Sequence, residues 1–130
     1  MNVNNIFILM VLCHAIDDFV FQPVILSKLK QRQWWVDTCE EKGIDFKIYE
    51  NDYLAALIAH SASWSAMIML PLIFLYPNNS WIIAWWIANA ALHALIDNLK
   101  ANYYALSLVV DQTLHLIQIM LTLGFFYFFS

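Results

Sequence analysis

The sequence predicts an all-α polytopic membrane protein, a single domain built as a four-transmembrane-helix bundle around an intramembrane His/Asp cluster. Three observations predict it. Of the 130 residues, 62% are hydrophobic, 12% are charged and only 2 are glycine, which is too apolar for a small soluble domain. Long apolar segments supply the ~20 helical residues that each crossing of ~30 Å of hydrocarbon needs, and four of them use up the chain. All four histidines, His14, His60, His93 and His115, fall inside those segments.

In order, the spans are expected at about 5–26, 51–76, 81–100 and 106–129, with a loop over 27–50. Each is mostly Leu, Ile, Val, Ala, Met and aromatics. Proline is confined to ends (Pro23, Pro77) apart from Pro71. The first span is expected to remain in the mature protein, because no basic residue precedes it, it carries His14, Asp17 and Asp18, and no small-residue cleavage site follows. Cys13 lies in that span and Cys39 in the loop, a pair that suggests neither a disulfide framework nor a thiolate metal site.

Orientation follows from the bases. Lys28, Lys30, Arg32, Lys42 and Lys47 fall in the first loop and Lys100 at the start of the third, so both loops are expected in the cytoplasm and both termini outside. In the first loop the bases alternate with Asp37, Glu40, Glu41, Asp45 and Glu50, which makes it no polybasic lipid arm; Trp34 and Trp35 read as interfacial anchors. The net charge of −4 is the balance of loop charges and intramembrane aspartates, and no basic stripe suits nucleic acid.

The polar residues inside the spans carry the chemistry. His14 and Asp18, His93 and Asp97, and Asp111 and His115 are each four residues apart, so each pair shares one helix face. In the first and third spans the order is His then Asp; in the fourth, which runs the other way, it is Asp then His. That reversal puts all three aspartates nearer the cytoplasm and the histidines in a layer ~6 Å deeper, with His60 of the second span at a similar depth. Aspartate near a helix centre costs ~2.5–3.5 kcal/mol on insertion, so something must compensate for it.

Imidazole with carboxylate suits zinc, manganese or iron, and facing helices of a bundle build mononuclear and dinuclear sites in this way. His14, Asp18, His60, His93, Asp97, Asp111 and His115 are therefore the expected ligands of a divalent transition metal, and their number leaves room for two ions. Interhelical hydrogen bonding is the bland alternative, and for His60 or Asn89 taken alone it is the better reading. Gln22, Lys100, Gln118 and Thr122 extend the three stripes as helix-pairing residues, snorkelling residues or substrate contacts. Asp17, expected to lack a histidine partner, is open as ligand, partner of Lys100 or catalytic base; the base is the preferred role, with Lys100 stabilising developing negative charge.

The stretch "HAIDDFVFQ" (14–22) resembles the opening H-x3-D-F-x2-Q motif of the domain-of-unknown-function 3307 family, small polytopic membrane proteins of bacteria and their phages. "HALIDNLK" (93–100) is similar to that family's H-x2-I-D-x2-K segment, and "DQTLH" (111–115) to its D-Q-x2-H segment. The loop after Gln22 is longer and richer in tryptophan than the family pattern, and in the second span only His60 matches. The resemblance implies a bacterial inner-membrane protein without an assigned activity. A looser likeness to the LexA-regulated inner-membrane family of metal-dependent hydrolases points towards hydrolysis.

Two classes of function follow. In one, a metal-dependent hydrolase cleaves an ester or phosphoester of an amphiphilic or lipid-linked substrate at the cytoplasmic membrane boundary. In the other, the cluster is a metal-ion or proton site of a transporter or sensor, or a structural staple in a protein that binds and inhibits another membrane protein. Four spans are few for an alternating-access carrier unless it forms a homo-oligomer.

Overall fold

The computed structural model describes residues 2–129, and among them the chain is helical, with no strand. Helix α1 (Val3–Ile16) runs without a break into a π-helical turn (Asp17–Phe21). Two short helices follow, α2 (Val24–Leu29) and α3 (Arg32–Lys42), then a 3₁₀ turn (Phe46–Ile48) and the three long helices α4 (Asp52–Leu75), α5 (Ile82–Ala101) and α6 (Leu108–Phe129). Four helical stretches are long and apolar enough to cross a membrane: Val3–Phe21, Phe46–Leu75, Ile82–Ala101 and Leu108–Phe129.

The last three agree closely with the expected spans. The first ends five residues earlier than expected, at Phe21 rather than 26, and the 27–50 loop is largely helical. Pro23 is the physical reason for the early end. It has no N–H to donate and bars helical backbone at the residue before it, so Gln22 leaves the helix at φ −91°, ψ 88° and the chain turns into α2. Gly43 ends α3 in the left-handed conformation at φ 65°, with the N–H of Ile44 returning to the carbonyl of Cys39.

The four long helices form a bundle in which α4 packs against α1 and α5, and α6 closes the ring against the same two. One end is sealed by Ile6, Met10, Ile68, Met69, Leu72, Ile119 and Phe126, all buried. Outward-facing positions are apolar as well, among them Phe19, Phe74, Val109 and Phe128, each more than two-thirds exposed at 69%, 78%, 75% and 76%.

The α2–α3 elbow folds over the opposite end of the bundle. Asn102, just past α5, grips it through its side-chain amide, which donates to the carbonyl of Lys30 (3.0 Å) and accepts the backbone N–H of Arg32 (2.7 Å). Trp35 braces the same elbow by donating Nε1–H to the carbonyl of Leu29 at 2.9 Å and stacking on Tyr49. Trp35, expected as an interfacial anchor, is half-buried here. The elbow and the α5–α6 connection thus share one end of the bundle, as the alternation of basic loops requires.

Candidate metal centre

All seven expected ligands meet in the half of the bundle nearer the elbow. His14, His60, His93, His115, Asp97 and Asp111 are buried and Asp18 is half-buried. Each matched pair is formed within its helix at similar separation: His14–Asp18 3.5 Å, His93–Asp97 3.7 Å and Asp111–His115 3.5 Å.

His60, the one histidine without a carboxylate on its own helix face, is the hub. Its Nδ1 lies 3.5 Å from Asp17 Oδ2; its Nε2 lies 3.5 Å from Asp18 Oδ1, 3.6 Å from Asp97 Oδ2 and 3.2 Å from His93 Nε2. Two consecutive aspartates can bracket one imidazole because the helix widens there. In a regular α-helix neighbouring side chains diverge by ~100°, whereas the π turn over Asp17–Phe21 carries both carboxylates inward.

Asp17 is therefore corrected on two counts. It has a histidine partner, and it is not paired with Lys100. It is 1% exposed, accepts the hydroxyl of Ser63 at 2.7 Å, and stands behind His60 away from the cleft described below. Its Oδ2 is 3.5 Å from His60 Nδ1, beyond hydrogen-bond distance, and it is not part of the cleft lining.

Two sets of three ligand atoms lie close enough to hold one ion: Asp18, His60 and His93, and His93, Asp97 and His115. The spacing within them is informative. Ligands around a tetrahedral ion with bonds of ~2.0–2.2 Å stand ~3.3–3.6 Å apart, whereas an N–H···O hydrogen bond spans ~2.7–3.2 Å. The His–Asp separations of 3.5–3.7 Å lie at or just beyond the first distance and exceed the second, while Nε2 of His60 and Nε2 of His93, 3.2 Å apart, stand at hydrogen-bond distance. Asp18 Oδ1, Asp111 Oδ1 and His115 Nε2 are moreover buried without a hydrogen bond. Such groups are costly to leave unsatisfied; an ion in the first set engages Asp18 and one in the second engages His115, while Asp111 belongs to neither.

His14 and Asp111, expected as ligands, flank these sets. Nδ1 of His14 accepts the Nε1–H of Trp64 at 2.8 Å, which removes that nitrogen from coordination. Asp111 accepts Lys100 at 2.6 Å and Gln112 at 3.1 Å. Lys100 thus pairs across the α5–α6 connection. Gln118 and Thr122 belong to a separate knot, both donating to Asn89 Oδ1 (2.9 and 3.1 Å) between α5 and α6. They pair helices and do not reach the cluster.

Two participants, Lys30 and Trp64, carry no motif in the sequence, and a third, Gln112, enters there as a position of the D-Q-x2-H segment. Lys30, 6% exposed, reaches from the elbow to place Nζ 2.5 Å from Asp97 Oδ2, with Gln22 Oε1 at 3.3 Å. Trp64, fully buried, stacks on His93 at 4.1 Å between ring centroids; it lies one turn beyond His60, the only signal that could have found it. Gln112 bridges Asp18 and Asp111, its amide donating to both at 3.3 and 3.1 Å.

A cleft of about 340 Å³ opens on the cluster from the elbow end, lined by Asp18, Asp97 and Asp111 but by no histidine. The aspartate layer therefore meets the opening and the histidine layer lies behind it, as the reversed pair order requires. Gln22, Lys30 and Lys100 complete its polar wall. The carboxylates of Asp17, Asp18, Asp97 and Asp111 face two ammonium groups, Lys30 and Lys100, and the imidazoles of the cluster.

No family model, curated protein or solved structure matches this chain.

Proposed function

We propose that the protein spans a bacterial inner membrane, its elbow end in the cytoplasm, and acts as a metal-dependent hydrolase of an amphiphilic ester or phosphoester. The observation that carries the reading is the 3.5–3.7 Å spacing of buried imidazole and carboxylate atoms around His60 and His93 beside an open cleft. Membrane insertion is supported by four helices of sufficient length and apolarity and by the apolar outer surface. The basic residues at one end support the orientation.

Lys30 decides which ligand set is productive. It engages Asp97 Oδ2, so Asp18, His60 and His93 remain for one ion, zinc by donor preference with manganese or iron as substitutes. Three protein ligands leave a coordination position open, the arrangement of catalytic rather than structural sites. An ion held there supplies Lewis acidity for attack of water on the ester. Asp17, 3.5 Å from Nδ1, is the carboxylate that backs the ring of His60. Asp111, unlike Asp17, belongs to the lining of the cleft and is the carboxylate assigned in this reading to take a proton from water. Lys100 and Lys30 face charge developing in the cleft.

A second reading, a structural metal staple in an interaction protein, draws on the same lysine. If Lys30 withdrew, Asp97 would be a fourth ligand and the site would close. Transport has less support, since the buried apolar layer from Met10 to Phe126 blocks the far end of the bundle.

Metal analysis of the purified full chain tests the reading. About one equivalent of a divalent transition metal per chain is expected, lost in His60→Ala and His93→Ala, together with metal-dependent cleavage in a panel of lipid and soluble esters and phosphoesters. Metal retained in both variants refutes the site; a fully metallated protein inert across the panel refutes the hydrolase and leaves the staple.

A further inference from the structure

The composition of the cleft wall names a substrate class more narrowly than the metal cluster does. Lys30 and Lys100 both line it, each already paired with a carboxylate, yet an ammonium has three donors. Lys100 uses one of its donors on Asp111, and Lys30 uses two, on Asp97 and Gln22. Gln31, also on the wall, donates one amide hydrogen to the carbonyl of Ser27 and keeps the other. Spare donors on two cations and an amide suit a doubly charged anion with several acceptor oxygens.

Apolar side chains share the lining. Phe19 of the π turn, Tyr104 and Leu108 at the start of α6 line the cleft while being 69%, 74% and 58% exposed on the outer surface. Val20, Phe21 and Val109 continue that surface on either side. Tyr104 holds this lip in a left-handed backbone conformation, φ 53°, that a bulky side chain seldom adopts. The cleft at the elbow end thus has exposed apolar side chains at its mouth.

Resting on the hydrolytic reading, we propose that this cleft is the headgroup site for a membrane lipid ending in a phosphate monoester. Lys100, Lys30 and Gln31 hold the phosphate, and the hydrocarbon leaves between Phe19 and Leu108. Electrostatics adds an order to the binding. Three carboxylates, Asp18, Asp97 and Asp111, line the same cleft against the two ammonium groups, so a dianion enters it with the divalent ion of the hydrolytic reading bound beside it. The phosphate site is therefore conditional on the metal.

Calorimetric titration of the full chain in maltoside micelles, with and without stoichiometric zinc, tests this with three probes: inorganic phosphate, dihexanoyl phosphatidic acid and dihexanoyl phosphatidylcholine. With zinc, the phosphatidic acid should bind at least about tenfold more tightly than inorganic phosphate, the gain expected from burying even two methylenes. Phosphatidylcholine, a diester bearing its own cation, should bind at least about tenfold more weakly than the phosphatidic acid, and removing zinc should weaken the phosphatidic acid by a similar factor. Lys100→Met should cost about ten- to a hundredfold, recovered largely by Lys100→Arg, while zinc stoichiometry stays unchanged as the check on folding.

Equal affinity for inorganic phosphate and phosphatidic acid overturns the lipid in favour of a soluble phosphate. Equal affinity for the two lipids, or affinity independent of zinc, overturns the site. Zinc bound without any phosphate affinity overturns the headgroup site alone, whereas failure to bind zinc overturns the hydrolytic reading with it. Tight phosphatidic acid binding without turnover upholds the site and removes only the hydrolysis.

Discussion

Replacing His14, His60 and Asp17 one at a time separates an ion-binding histidine from a buried one that merely packs. His60→Ala removes one of three ligands and leaves Asp17 Oδ2, Asp18 Oδ1 and Asp97 Oδ2 facing a void where an imidazole stood within 3.6 Å of each. Breaking a buried charged cluster in this way costs ~3–5 kcal/mol. Metal affinity should fall by more than the ~10–100-fold that removal of a supporting partner costs. Asp17→Asn should fall inside that ~10–100-fold window, because only the support behind Nδ1 changes. His14→Ala should keep the metal. Its cost is an orphaned Trp64 Nε1–H, about 1–3 kcal/mol. Chelator competition followed by metal analysis reads the affinities, and titration of helix content with a denaturing detergent reads the stabilities. Wild-type affinity in His60→Ala, or loss of metal in His14→Ala, would refute the assignment of ligands.

Three further outcomes are expected. Lys30→Met should free Asp97 to close the coordination sphere and remove a competing cation, so metal affinity rises by about tenfold while turnover disappears; weaker metal binding would show that Lys30 supports the site instead. Asn89→Ala should cost ~1–2 kcal/mol in the same detergent titration by stripping Gln118 and Thr122 of their shared acceptor, with metal stoichiometry intact, and metal loss would contradict the separation of knot and cluster. For topology, native Cys39 is a poor reporter because burial protects it on either side. In a background lacking both native cysteines, Asn78→Cys should react with an impermeant reagent from outside the cell and Glu41→Cys should not; the reverse pattern inverts the orientation.

The four long helices and the axial layering of the cluster were legible in the sequence, because hydrophobic length and the i, i+4 rule are properties of one helix at a time. Pairs such as His93–Asp97 share a face whatever surrounds them, and the reversed order in the fourth span places Asp111 at the same end as Asp18. Even the early stop at Phe21 has a local cause in Pro23.

What the tertiary structure alone decided is which atoms meet across helices. That depends on how far each helix rotates about its axis, and no spacing encodes it. His60 looked the weakest ligand because its partners come from two other helices, and Asp17 looked partnerless because only the π turn swings it towards His60. Lys30 read as a loop charge until Asn102 pinned the elbow and carried its ammonium to Asp97. Sequence fixes the depth of a polar side chain through the 1.5 Å rise of its helix; its partner is chosen by packing, and in this cluster packing made the unpaired histidine the centre.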